Sequence, residues 1–232
     1  MNFKGIILCF WGVMIFFFCV KDDGVEKIRK TFIFNFQQNL EEWTADFADY
    51  PEGEDIFYEL DYGHSPLPLP LDTTQNALKI SGNNHSADLF MFIKRRISGL
   101  TPNTEYQVLF DIVMVSNAPV NSVGIGGSPG SNVYLKVGAT IIEPEKIVVD
   151  DFYIMNIDKN NQSSSGKDMI QIGNIGTKKD IFEYTLIKRN NFNKPFKVKT
   201  DVNGEVWLIV GTDSGFEGKT TLYYYTITVK LN

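Results

Sequence analysis

The sequence predicts an all-β fold, an antiparallel β-sandwich, on three observations. From Ile28 onward the chain is a succession of short runs rich in Val, Ile, Thr, Tyr and Phe, interrupted by Gly, Asn, Asp, Ser and Pro, the pattern of strands and their turns. No sustained 3.6-residue apolar period of an amphipathic helix runs through it. The length of 232 residues, with 43% hydrophobic and 13% aromatic residues, suits a single sandwich of about 200–250 residues whose core needs no metal or disulfide staple.

The first segment stands apart from this pattern. Lys4 precedes an apolar run from Gly5 to Val20, and the composition turns polar at Lys21-Asp22-Asp23. That run is shorter than the roughly 20 residues that span a bilayer as a helix, which favours an export signal over a permanent anchor. Both cysteines of the chain, Cys9 and Cys19, lie here, so the body contains none and cannot form a disulfide. Cys19-Val20-Lys21-Asp22-Asp23 resembles the surface-export signal of Gram-negative lipoproteins, with Phe18 where that signal usually has a small residue. The resemblance implies lipidation at Cys19 and a protein exported and membrane-anchored at the cell surface, or else secreted. The expected organisation is a lipoprotein-type signal segment over 1–20, a short polar tether over 21–29, and one sandwich domain over 30–232.

Strands are expected, in order, at Lys30–Phe36, Ile56–Tyr62, Ala77–Ser81, Leu89–Ile97, Glu105–Val115, Val133–Ile142, Asp151–Ile157, Met169–Gly173, Phe182–Ile187, Phe196–Thr200, Glu205–Val210 and Thr220–Leu231. Alternation in the last one puts Tyr223, Tyr225, Ile227, Val229 and Leu231 on a core face, because successive side chains point to opposite sides. Glu105–Val115 is apolar on both faces in its second half, as a central strand would be. Ser65-Pro66-Leu67-Pro68-Leu69-Pro70 reads as an extended segment crossing the rim.

Phe34-Asn35-Phe36, Leu40-Glu41-Glu42-Trp43, Ala77-Leu78-Lys79-Ile80-Ser81-Gly82 and the stretch from Ile97-Ser98-Gly99-Leu100 to Thr104-Glu105-Tyr106 resemble the opening half of carbohydrate-binding modules with the galactose-binding-like jelly-roll fold. The resemblance spans about 80 residues and implies a jelly roll. It is weakly specific for a ligand, since the turn at 99–106 is also found in sandwiches that bind no sugar.

Charge and motifs narrow the function classes. A formal charge of -6 and a pI near 5.0 argue against nucleic acid, whose binding depends on clustered Lys and Arg. Without a body cysteine, and with His64 and His85 as the only histidines, Cys–His catalysis is excluded. Gly211-Thr212-Asp213-Ser214-Gly215 lacks the glycine two residues before the serine that a nucleophile elbow requires, and reads as a strand-to-loop turn. Gly124-Ile125-Gly126-Gly127-Ser128-Pro129-Gly130 lacks both a following Lys-Ser/Thr and a helix, so it is not a phosphate loop; it can still line a ligand site. No complete catalytic signature is present, and no enzyme activity is expected.

Seven acidic residues from Asp46 to Asp61 offer the hard oxygens that calcium takes in groups of about 6–8. Against that, acidic residues on a rim are more often simply solvated. The family resemblance implies one structural calcium ion near this part of the chain, with Asp46, Asp49 and Asp55 as the expected ligands. A sugar site needs a ring to exclude water and a few polar groups to fix orientation. The rings expected to serve are Trp43, Tyr62 and Phe216, with His85, Asp88 and Asp213 as hydroxyl partners, all read at loops or strand ends. The sequence thus points to a non-enzymatic, surface-exposed lipoprotein with a glycan-binding sandwich; the alternative is a structural or protein-binding sandwich without a sugar site.

Overall fold

The computed structural model describes residues 29–86 and 88–232. Cys19, the signal segment and nearly all of the tether lie outside the described residues, so the reading of that segment stays an expectation. No helix of the described residues is long and apolar enough to cross a membrane.

Among the described residues fifteen strands form: β1 (Lys30–Asn35), β2 (Thr44–Ala48), β3 (Tyr50–Pro51), β4 (Asp61–Pro66), β5 (Asn76–Asn83), β6 (Leu89–Ile97), β7 (Glu105–Ser116), β8 (Val133–Thr140), β9 (Lys146–Val149), β10 (Phe152–Met155), β11 (Met169–Asn174), β12 (Thr185–Asn190), β13 (Phe196–Lys199), β14 (Val206–Ser214) and β15 (Lys219–Leu231). All strand pairs are antiparallel. One large sheet runs β12-β7-β15-β5-β4, with β1 added along β15 and β13 along β7. The second runs β11-β8-β14-β6-β2.

The inner faces of these two sheets make the core. Phe110, Ile112, Leu78, Ile80, Leu222 and Val229 come from the large sheet, and Leu89, Met91, Leu135, Val137, Leu208 and Val210 from the smaller one; all are at most 1% exposed. The fold is an all-β antiparallel sandwich, as the sequence predicts.

A third layer was not expected. The outer face of the five-stranded sheet is covered by residues 141–168, whose two strands β9 and β10 join β3 in a small sheet. Met155 and Ile157 of this cover pack on Ala48, Phe90, Phe92, Met169 and Ile209. These face away from the core because their neighbours in sequence, such as Met91 and Leu208, point inward.

Two expectations need correction. Residues 55–59 form a turn rather than a strand, leaving Ile56 93% exposed, and the strand begins at Asp61. In β15 the register shifts between Tyr224 and Thr226. This bulge reverses the alternation, so Leu222 and Tyr224 face the core before it, and Ile227, Val229 and Leu231 after it. Tyr223 and Tyr225 instead join a satellite cluster with Leu67, Ala77, Val115 and Tyr184. β7 is central in its hydrogen bonding, flanked by β15 on one edge and by β12 and β13 on the other. Its outer face is only partly covered, for Leu109 and Val113 are half-buried while Val115 is fully buried.

Candidate functional site

Two places in the described residues bring functional groups together. The first is a cleft of about 150 Å³ at the rim of the sandwich. Its walls come from the loop just after β7 (Asn117, Ala118), the glycine-rich loop (Val123, Pro129), Ile175 after β11, Phe182 before β12, Phe216 of the β14–β15 turn and Lys219–Thr221 at the start of β15. Asn84 fixes that turn by donating from Nδ2 to the carbonyls of Ser214, at 2.8 Å, and Phe216, at 2.9 Å. A Cβ at position 124 or 218 would meet the Phe216 ring and displace it, and Gly218 also holds a φ of +151° that residues with a side chain rarely adopt. With glycine on both sides, Phe216 serves as a wall of the cleft rather than an open platform. The free ring is Phe182, 63% exposed, with Asn117 and Thr220 lining the same cleft; Thr221 and Lys219 line it too, but the Thr221 hydroxyl is held by Ser81 Oγ at 2.7 Å and the Lys219 ammonium by Glu59 at 2.6 Å.

The second place lies beneath the cover. The strand expected to stop at Val210 continues to Ser214, so Asp213 sits inside the five-stranded sheet, fully buried, instead of in a turn. Its Oδ2 accepts from Lys136 Nζ of β8 and Lys159 Nζ of the cover, both at 2.8 Å, and from the Gln162 backbone N–H at 3.1 Å. Lys159 also pairs with Asp49 at 2.6 Å, and its ammonium lies 4.8 Å from the centre of the Phe90 ring. Oxygen atoms of Asp49, Asp88 and Asp213 all lie within 4.8 Å of one another.

Burial sets the ionisation here. Desolvation, with repulsion from Asp213 and Asp49, pushes the Asp88 carboxyl up to about 7. Desolvation also raises Asp49, against the attraction of Lys159. Lys136 is lowered because desolvation outweighs Asp213. Lys159, which burial alone would lower, is raised by Asp213 and Asp49 together. Three carboxyls face two ammoniums, so a proton retained on Asp88 removes the excess negative charge, whose burial would otherwise be costly.

The expected calcium ligands do not converge. Asp46 meets Lys146 at 3.1 Å, Asp55 accepts from the Tyr50 hydroxyl at 2.9 Å, and Asp49 turns to Lys159. Asp49 does join a set of three carboxylates with Asp88 and Asp213, yet two lysine ammoniums already sit against Oδ2 of Asp49 and Oδ2 of Asp213 and supply the positive charge there. These residues do not fit a structural calcium ion.

The six residues expected to hold a sugar separate. Trp43 is 1% exposed, edge-on to Phe34 and Phe36; a ring so enclosed cannot stack on a ligand, which corrects that expectation. Tyr62 is exposed on the edge strand β4. His85 is exposed, stacked on Phe57 at 4.1 Å between ring centres, with Nε2 3.1 Å from the Phe57 carbonyl. Asp88 and Asp213 belong to the buried cluster, and Phe216 alone lines the cleft. Sequence reasoning missed Phe182, read as the first residue of a strand that begins at Thr185, and Lys136, a lysine in an otherwise apolar strand. A charged residue in the middle of an apolar run was the available signal for the latter, since lysine is almost never fully buried without a partner.

No family model matches this sequence, and no curated protein matches it. Among solved structures, a putative sugar-binding protein from Bacteroides thetaiotaomicron is similar over 85% of this chain and 92% of its own, at 14% identity and a TM-score of 0.42. A β-sandwich carbohydrate-binding module of promiscuous specificity is similar over 93% and 85%, at 9% identity and a TM-score of 0.41. A module with specific mannan recognition is similar over 86% and 95%, at 7% identity and a TM-score of 0.39.

Proposed function

We propose that this protein is a non-enzymatic glycan-binding sandwich whose site is the rim cleft. The observation that carries the reading is the exposed Phe182 ring in a cleft that the polar residues Asn117 and Thr220 also line. A sugar offers an apolar C–H face to the ring and hydroxyls to those residues, and a small number of placed polar groups fixes its orientation. Every wall except the start of β15 is loop, held by two packed sheets, the usual arrangement of a binding site on a rigid scaffold. Affinity is modest, because a cleft of about 150 Å³ leaves most of a sugar in water while the entropy of association must still be overcome. A glycan array probed with the purified protein, followed by titration of any hit, tests the reading; absence of binding across the array would remove it.

Lipidation at Cys19 would hold this domain at a membrane surface, and Cys19→Ala would then release it into the soluble fraction. One observation favours the alternative, a protein-binding sandwich. The β9–β10 hairpin exposes Ile147, Val148, Val149 and Phe152, each more than 40% accessible, and contiguous exposed apolar surface marks interaction sites. A partner that co-purifies with the protein, in the absence of any sugar binding, would favour that reading.

A further inference from the structure

The buried cluster beneath the cover takes no part in the proposed sugar site, and its geometry has a chemistry of its own. Lys136 lies on β8 opposite Gly211 of β14, and Asp213 is two residues further along β14 on the same face. This diagonal relation between neighbouring strands lets a long side chain reach across. Both side chains are 0% exposed, and Nζ stands 2.8 Å from Oδ2. The other two contacts of Lys136 Nζ are the backbone carbonyls of Lys159, at 3.0 Å, and Asn160, at 3.1 Å. Two carbonyls accept the two N–H bonds of a neutral amine and leave its lone pair toward Asp213. Oδ1 of Asp213 and Oδ1 of Asp88 are buried without a hydrogen-bond donor, and a proton on the Asp88 carboxyl supplies one.

We propose that Lys136 and Asp213 become joined by an intramolecular isopeptide bond, formed within the folded protein with Asp88 as the acid. The Lys136 ammonium first passes a proton to the Asp213 carboxylate, turning the ion pair into an amine and a carboxylic acid. The amine nitrogen then attacks Cγ of Asp213, forming the C–N bond. Asp88 gives its proton to the departing hydroxyl and takes one from the nitrogen. The C–O bond breaks, one water molecule leaves, and Asp88 ends as it began. No oxidant, cofactor or second protein takes part.

Holding the two groups in contact supplies the entropy that an intermolecular condensation would lack. Ionisation is arranged in the same sense, for burial lowers Lys136 and holds Asp88 in its acid form. Lys159 is not the nucleophile. It is shared with a second carboxylate, Asp49, at 2.6 Å, and the pair of them keeps it an ammonium, which steadies negative charge on the Asp213 oxygen during attack.

The test is peptide mass spectrometry on the full-length protein purified in its folded state. With the bond formed, trypsin cannot cut after Lys136, so residues 97–146 and 200–219 appear as one branched fragment, lighter than their sum by one water molecule. Lys136→Arg and Asp88→Asn should each abolish that fragment, whereas Lys159→Arg should retain it. If either abolishing variant fails to fold, the wild-type fragment still decides. Peptides ending at Lys136, with residues 200–219 recovered separately at full mass from folded wild-type protein, would overturn the proposal, as would a branch at Lys159.

Discussion

At the scale of single residues, burial separates the rings that can bind from those that hold the fold. Phe182 is largely exposed, so Phe182→Ala should abolish sugar binding while changing stability by no more than about 0.5 kcal/mol, as surface substitutions usually do. Trp43 is enclosed by Phe34 and Phe36, and Trp43→Ala should cost about 3–5 kcal/mol through the loss of core packing. Chemical denaturation of the two variants beside the wild type measures the difference.

Asp88 gives a pH prediction of definite sign. Its carboxyl titrates near 7 in the folded protein, chiefly through burial, against about 3.9 in an unfolded chain. A group raised in this way binds its proton more tightly when folded. Its contribution is therefore complete below about pH 4 and is lost as pH rises through about 7. The upper bound is about 4 kcal/mol at 1.36 kcal/mol per unit, reduced because the side chain is only half-buried. Asp88→Asn should flatten that decline, measured as unfolding midpoints between pH 5 and pH 8.

At the scale of elements, the cover over residues 141–168 is the feature that the sequence does not reveal. β6, β7 and β8 were legible because their apolar runs are long and bounded by turns. β2 was not, since Thr44-Ala45-Asp46-Phe47-Ala48 is short and has weak strand formers; what makes it a strand is its pairing with β6 and the burial of Phe47. β9 is similarly short and half-exposed, whereas β10 lies within the strand expected at Asp151–Ile157; the placement of both depends on β3, about a hundred residues earlier in the chain. Periodicity carries no information about such distant pairing. The bulge in β15 was hidden for the same reason, because its register is fixed by β5 and β7 rather than by its own pattern.

Lys159 ties this cover to the sheet through Asp49 and Asp213. Removing it leaves the largely buried Asp49 carboxylate short of its counter-charge, a loss of about 3–5 kcal/mol in comparable pairs. Lys159→Met should therefore lower stability by that order and speed hydrogen exchange across residues 141–168 before it does so in β7 or β15. Unchanged exchange there would show that the cover is held by Met155 and Ile157 alone.

For the whole molecule, fold class followed from composition and alternation, but the site did not. A sandwich needs only repeated short strands whose apolar faces can meet, and that requirement is written along the chain. A cleft is made by loops that converge from separate strand ends, here after β7, after β11, before β12 and between β14 and β15. Of the residues named from sequence, Phe216 reached that cleft, while Asp88 and Asp213 were brought together beneath the cover by an unforeseen extension of β14. The measurement that bears most directly on the account is calorimetric titration of the best array hit into wild-type protein and Phe182→Ala. Saturable weak binding to the wild type, absent in a variant with an unchanged unfolding midpoint, is the predicted result. Equal binding by both would contradict the placement of the site in the rim cleft.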